Sequence, residues 1–155
     1  MAASVNALKA QIGAGSSFHL DVSERTVVAA NGDGTLATAL VLVNQLAAVY
    51  TFHIADALLH KAADTAHPLT VAYPVATLAD AETLANNIKT KWALHIASTA
   101  AHFNADATNV TTAANASSQG TLDTLLNDLK TQLNAHFGAS GAPAGVAPSI
   151  RLVQP

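Results

Sequence analysis

Apolar residues fall on a helical period along most of this chain. Leu36, Leu40, Val43, Ala47, Tyr50, Ile54 and Ala57 recur at spacings of three and four, the signature of one helix face. Leu78, Leu84, Ile88, Trp92 and Ile96 mark a second face, and Leu122, Leu125, Leu126, Leu129 and Leu133 a third. The pattern predicts helices near 4–12, 35–63, 78–103 and 119–136. Thr35 and Thr77 stand where N-caps belong, and Thr77 with Asp80 makes a capping-box-like start. Ser118 or Thr121 can cap the last helix. Pro68 and Pro74 interrupt the chain between the first two long helices. The Thr/Asn-rich "ATNVTTAANASSQG" interrupts it again before the third.

The polar positions repeat as well. "NQLAAVYTFHIADALLHKAAD" begins at Asn44, and "NNIKTKWALHIASTAAHFNAD" begins at Asn86. Both carry Asn, then Leu or Ile, an aromatic residue, His, a second His seven residues on, and Asp four later. "NDLKTQLNAH" from Asn127 is a third copy with Leu133 in the aromatic slot, and "NALKAQIGAG" from Asn6 a degenerate fourth. The Asn positions step by 38, 42 and 41 residues, a period that marks a structural repeat. The fold class expected is all-α. It is a small up-down bundle of three long helices plus a short N-terminal helix, built from ~40-residue repeats. Residues 1–137 form the helical repeat domain. Residues 138–155, with Gly and Pro spread through "GASGAPAGVAPSIRLVQP", form an extended C-terminal arm. Val146, Ile150, Leu152 and Val153 are expected to dock in an apolar groove of a neighbouring subunit, with Arg151 pointing outward.

Composition narrows the function classes. Of 155 residues 35 are Ala, and only 11% are charged, against about 25% in ordinary globular domains. A surface so poor in charge points to cover by neighbours. The seven basic residues are scattered, with no stripe to neutralise phosphates, so nucleic acid is not an expected partner. Cysteine is absent, excluding disulfides and thiolate ligands. "LATALVLVNQLAAVY" is broken by Thr38, Asn44 and Gln45, and no membrane span is expected. No nucleophile-elbow or phosphate-loop motif is present, and the carboxylate pairs Asp21/Glu24 and Asp123/Asp128 fit helix starts and solvated faces. An enzyme with a small-molecule substrate is therefore not expected.

The histidines admit two readings. In the metal reading, His53 and His60 lie on one face of a continuous helix, about 10 Å apart along its axis and too far to share an ion. Across antiparallel helices His53 would meet His102, and His60 would meet His95. Asp64 and Asp106 would complete a set suited to zinc or nickel. In the packing reading, each His satisfies helix-end carbonyls and an Asp one turn later holds the ring. His136 has no following His or Asp, a decay that packing tolerates better than a metal site does. The packing reading is preferred: no cofactor, no metal, and imidazoles bonded to backbone or Asp groups instead of converging.

The texture of "NNIKTKWALHIASTAAHFNADATNVTTAANAS" and "NDLKTQLNAHFGAS" resembles small repeat-containing structural proteins encoded in tailed-bacteriophage genomes. The resemblance spans most of residues 36–137; "VAYPVAT", with Tyr73 and Pro74, departs from it. It implies a virion component (head decoration, neck or tail), made in the host cytoplasm. Its partners would be other virion structural proteins and copies of itself. The alternatives are a His-rich helical metal-binding module and a cell-surface or S-layer-like repeat protein, the latter disfavoured by the lack of a signal pattern.

Overall fold

The computed structural model describes residues 26–57, 60–102 and 104–138. The expected N-terminal helix at 4–12 and the arm residues 139–155, including Val146, Ile150, Arg151, Leu152 and Val153, lie outside them. The described residues are all-helical: α1 (Leu36–Ala55), α2 (Leu78–Ala97) and α3 (Gln119–Gly138), each of 20 residues, and no strand among them. Every helix packs against the other two.

The helix starts follow the sequence closely. Thr35 accepts from the Thr38 amide and Thr77 from the Asp80 amide, satisfying donors that the first turn leaves open. The Thr77 hydroxyl also donates to the Asp80 carboxylate at 2.6 Å. Ser118 Oγ accepts from Thr121 N at 3.4 Å, and so takes the capping role at α3.

The helix ends differ from expectation. α1 and α2 stop at Ala55 and Ala97, with Asp56 and Ser98 in extended conformation. The periodicity continues past these points, but tertiary hydrogen bonds outcompete helix continuation there. Asp56 N–H closes onto His53 O and Ser98 N–H onto His95 O. Asp64 N then bonds Ile54 O, and Asp106 N bonds Ile96 O, each at 2.7 Å. The carbonyls of the last turn are thus taken by the returning chain.

The three helices run in the same direction, which corrects the up-down expectation. The last-turn His53, His95 and His136 meet, with ring centroids 5.0, 5.2 and 6.2 Å apart. At the other end, Gln119 at the start of α3 donates to Thr35 O beside the start of α1, and Asp123 accepts from Gly34 N. A 20-residue helix is about 30 Å long. The irregular returns at 56–77 and 98–118 are long enough to climb back along it, since an extended chain covers about 3.3 Å per residue.

A cycle of asparagine clamps fixes the register. Asn44, Asn86 and Asn127 occupy the same position in their helices, and each holds both backbone groups of one residue in a segment entering another helix. Asn44 pairs with Val75 N and O at 2.8 and 3.0 Å, and Asn86 with Ala116 at the same two distances. Asn127 closes the ring on Gly32, at 2.8 and 3.3 Å. Gly32 is needed there, because a Cβ would collide with the Asp123 side chain. Lys89 adds bonds to Ala113 O and Asn115, and Lys130 to Ala29 O and Asn31. The matching place in α1 is the buried Ala47, and the linker it faces is the divergent one, with a cis Tyr73–Pro74 bond.

Leu42, Leu46, Leu84, Ile88, Leu122, Leu126, Leu129 and Leu133 fill the axis without solvent contact. Tyr50 and Trp92 are equally buried, and their polar atoms find the matching carbonyls His67 O and Asn109 O. By length and composition α1 could cross a membrane, but half of its most apolar window is buried against its neighbours.

Replacing Asn127 by Ala strips partners from both the N–H and the C=O of Gly32. The expected loss is about 2–3 kcal/mol, read as a lowered urea midpoint at constant slope. Thr124→Ala removes only a hydroxyl bonded to Gly120 O within its own helix and should change stability by less than about 0.5 kcal/mol.

Candidate metal centre

The C-terminal ends of the three helices bring five imidazoles to one point. His53, His95 and His136 sit at equivalent positions in the last turns of α1, α2 and α3. His60 and His102 arrive from the turns that follow α1 and α2, which are tied together by Lys61 N donating to Ala101 O at 2.8 Å. One ligand nitrogen from each of the five lies within 4.8 Å of every other. His53 Nε2 stands 3.0 Å from His95 Nε2 and 3.1 Å from His60 Nε2. His53, His60, His95 and His102 are buried; His136 keeps some solvent contact. Trp92 and Tyr50 close the inner side, with ring centroids 5.9 and 6.1 Å from His95.

Hydrogen bonds to the other ring nitrogen fix which way the lone pairs point. A carbonyl or an ionised carboxylate only accepts, so the Nδ1 facing it carries the proton and Nε2 carries the lone pair. His60 Nδ1 donates to Asp56 O at 2.8 Å and His102 Nδ1 to Ser98 O at 3.2 Å. His95 Nδ1 donates to Asp64 Oδ2 at 2.8 Å, and His136 Nδ1 to Asp106 Oδ2 at 2.7 Å. Four Nε2 lone pairs therefore face inward. A proton on His53 Nε2 serves one of its two close neighbours at a time, and the buried His102 Nε2 has no hydrogen-bond partner.

Protonation is a poor way to fill the space. Burial holds His53 well below the ordinary histidine range, and the facing His60, His95, His136 and His102 rings push it further. Burial takes His95 down to about 3, although its bond to Asp64 pulls the other way. Burial likewise lowers His60 and His102. Burial raises the Asp64 and Asp106 carboxyls, but hydrogen bonds from His67 and His95, and from His136 and Asn109, outweigh it and keep both ionised.

The expectation that the imidazoles bond to backbone or Asp groups instead of converging is corrected: they do both, through opposite ring nitrogens. His53 and His60 share the site because α1 ends between them, so the distance along a continuous helix does not apply. Asp64 and Asp106 stand behind His95 and His136 as hydrogen-bond acceptors. Each Asp holds the ring of the following helix, not the His one turn before it, and Asp64 also accepts from His67. His136, set aside for want of a following His or Asp, is a full member, and its matching step from His95 was the signal for it.

Metal-free protein should lose stability as pH falls below about 6.5, where imidazoles of the unfolded chain take up protons that the folded cluster refuses. The lowered folded-state values give the sign: the unfolded state binds more protons, so stability rises with pH across this window. Urea midpoints measured from pH 7.5 down to 5 should fall steadily. The double variant His53→Gln/His95→Gln should flatten that slope.

No family model matches this chain, and no curated protein and no solved structure was found to be similar to it.

Proposed function

We propose that this chain is a metal-stapled structural module. In this reading three units of about 40 residues surround a pseudo-threefold axis, and one divalent transition-metal ion joins their C-terminal helix ends. The observation that carries it is the set of five histidine ring nitrogens, one from each residue, within 4.8 Å of one another, with the Nδ1–H groups of His60, His95, His102 and His136 committed outward. Two nitrogens at right angles on an ion, each about 2.1 Å from it, stand about 3.0 Å apart. The separations of 3.0 and 3.1 Å around His53 fit that spacing.

Charge and donor type narrow the ion. The ionised Asp64 and Asp106 balance a charge of two, and three helix C-termini each add about half a negative charge. An all-imidazole set suits zinc, nickel, cobalt or copper, not calcium or magnesium, which take oxygen ligands. The carboxylates behind His95 and His136 orient the rings and raise their basicity. Binding to the folded state alone turns metal affinity into folding stability.

The likeness of the repeated segments to tailed-phage structural proteins supports a virion as the setting. A metal staple would there harden a small, alanine-rich module of the head, neck or tail, and the role involves no catalysis.

Full-length protein stripped with a chelator should bind one Ni2+ or Zn2+ per chain by calorimetry. A hundredfold excess over Kd adds about 2.7 kcal/mol, which should raise the melting temperature by roughly 10 °C. His53→Ala/His95→Ala should abolish both effects. Binding of less than a tenth of an ion per chain by the parent protein, with unchanged melting, would overturn the proposal.

A further inference from the structure

We infer that the chain entering α1 completes the third unit of the site: His19 is a sixth imidazole for the ion, and Asp21 is the carboxylate that orients the His53 ring. The inference rests on the metal-binding reading and adds a ligand to it. Both residues lie outside the described ones; the described lead-in to α1 and the repeat spacing carry the assignment.

The lead-in to α1 stands where a return after α3 would stand. Each of the three lead-ins runs between two helices and is held by both. Asn44, Asn86 and Asn127 hold Val75, Ala116 and Gly32 from one side. From the other side, Asn87, Asp128 and Gln45, each one residue past the clamping Asn of its helix, accept from Thr70 N at 3.0 Å, Ala113 N at 2.8 Å and Ala29 N at 2.6 Å. The segment before α2 thus lies between α1 and α2, the segment before α3 between α2 and α3, and the segment before α1 between α3 and α1. Nearer the histidines, Tyr50 donates to His67 O and Trp92 to Asn109 O. On α3, Asn134 holds both backbone groups of Val27, at 2.8 and 3.0 Å. Asn134 is two residues before His136, about 3 Å of helix rise.

Spacing then assigns the side chains. The returns after α1 and α2 each bring one His and one Asp to the site. His60 stands 15 residues before the clamped Val75, and His102 14 before the clamped Ala116. His19 stands 13 before the clamped Gly32. Asp64 and Asp106 stand 11 and 10 residues before the same two clamped residues, and Asp21 stands 11 before Gly32. Glu24, only eight before Gly32, is out of step. From Val27 the chain has eight residues to reach His19, an extended span of about 26 Å. The carboxylates advance by one helix: Asp64, after α1, holds His95 of α2, and Asp106, after α2, holds His136 of α3. The carboxylate of the closing segment therefore falls to His53 of α1. No His, Cys, Asp or Glu follows His136 in the sequence, so the third unit is split between the two ends of the chain.

The test uses full-length protein loaded with Co2+, with the bound ion first counted by elemental analysis. Six imidazoles leave no position for an added anion, so azide titrated into the parent protein should not change its visible spectrum. His19→Ala should keep the ion on the other five and respond in a single saturable step, to one azide per cobalt. Asp21→Asn should weaken cobalt binding about 10- to 100-fold, the loss expected when the group behind a ligand imidazole is removed, while Glu24→Gln leaves it unchanged. A parent protein that holds one cobalt and takes up azide as His19→Ala does would overturn the sixth ligand while leaving the metal-binding reading intact. Equal affinities for Asp21→Asn and Glu24→Gln would overturn the role of Asp21. A parent protein that holds no cobalt would overturn both readings.

Discussion

Four imidazole lone pairs held face to face in an apolar pocket set the terms for this molecule. The Nδ1–H groups of His60, His95, His102 and His136 are committed outward, so their Nε2 atoms have nothing to donate to one another. In a low-dielectric interior such an arrangement repels unless something positive sits within it. Protons serve badly, because burial and mutual repulsion hold His53 and His95 neutral far below the ordinary histidine range. One divalent ion would relieve the repulsion, with Asp64 and Asp106 supplying the balancing charge.

The remainder of the fold is organised to bring those atoms together. The cycle of Asn44, Asn86 and Asn127 locks each helix to a segment entering another one, so the three helices share a register and a direction. Their C-terminal ends can coincide only because the chain returns along the outside through 56–77 and 98–118. Those returns also carry His60, His102, Asp64 and Asp106 to the site. The leucine-rich axis and the buried Tyr50 and Trp92 keep water from its inner side. Architecture and site use the same repeated residues: an Asn for register, an aromatic ring for the floor, His and Asp for the centre.

Much of this was legible in the sequence. The threes and fours of apolar spacing point to three helices, Thr35 and Thr77 to the starts of the first two, and the pair Ser118 or Thr121 to the start of the third, where Ser118 takes the role. The repeated Asn and His pointed to matched places, and the structure puts them at matching helix positions. What failed were inferences that treated helices as longer than they are. Continuing α1 through His60 put two ligands about 10 Å apart, whereas the chain folds back after Asp56. Local pattern carries no information about Asp64 N reaching Ile54 O or Lys61 N reaching Ala101 O, and those long-range bonds end the helices. The up-down topology failed because local pattern does not fix helix direction, and each return, at more than twenty residues, is long enough to lead the chain back to the starting end. Sequence adjacency undervalues His136, because its partner is near only in space: Asp106, thirty residues earlier, accepts from its ring.

The central claim is that five imidazole nitrogens bind one ion, and X-ray absorption at the metal edge tests it most directly. Nickel-loaded protein should show at least five imidazole nitrogens in one shell near 2.1 Å, with the outer-shell scattering of intact rings and no second metal nearby. A shell of oxygen donors with two or fewer imidazoles would contradict the account, since it would place the ion somewhere other than the point where the three helices end.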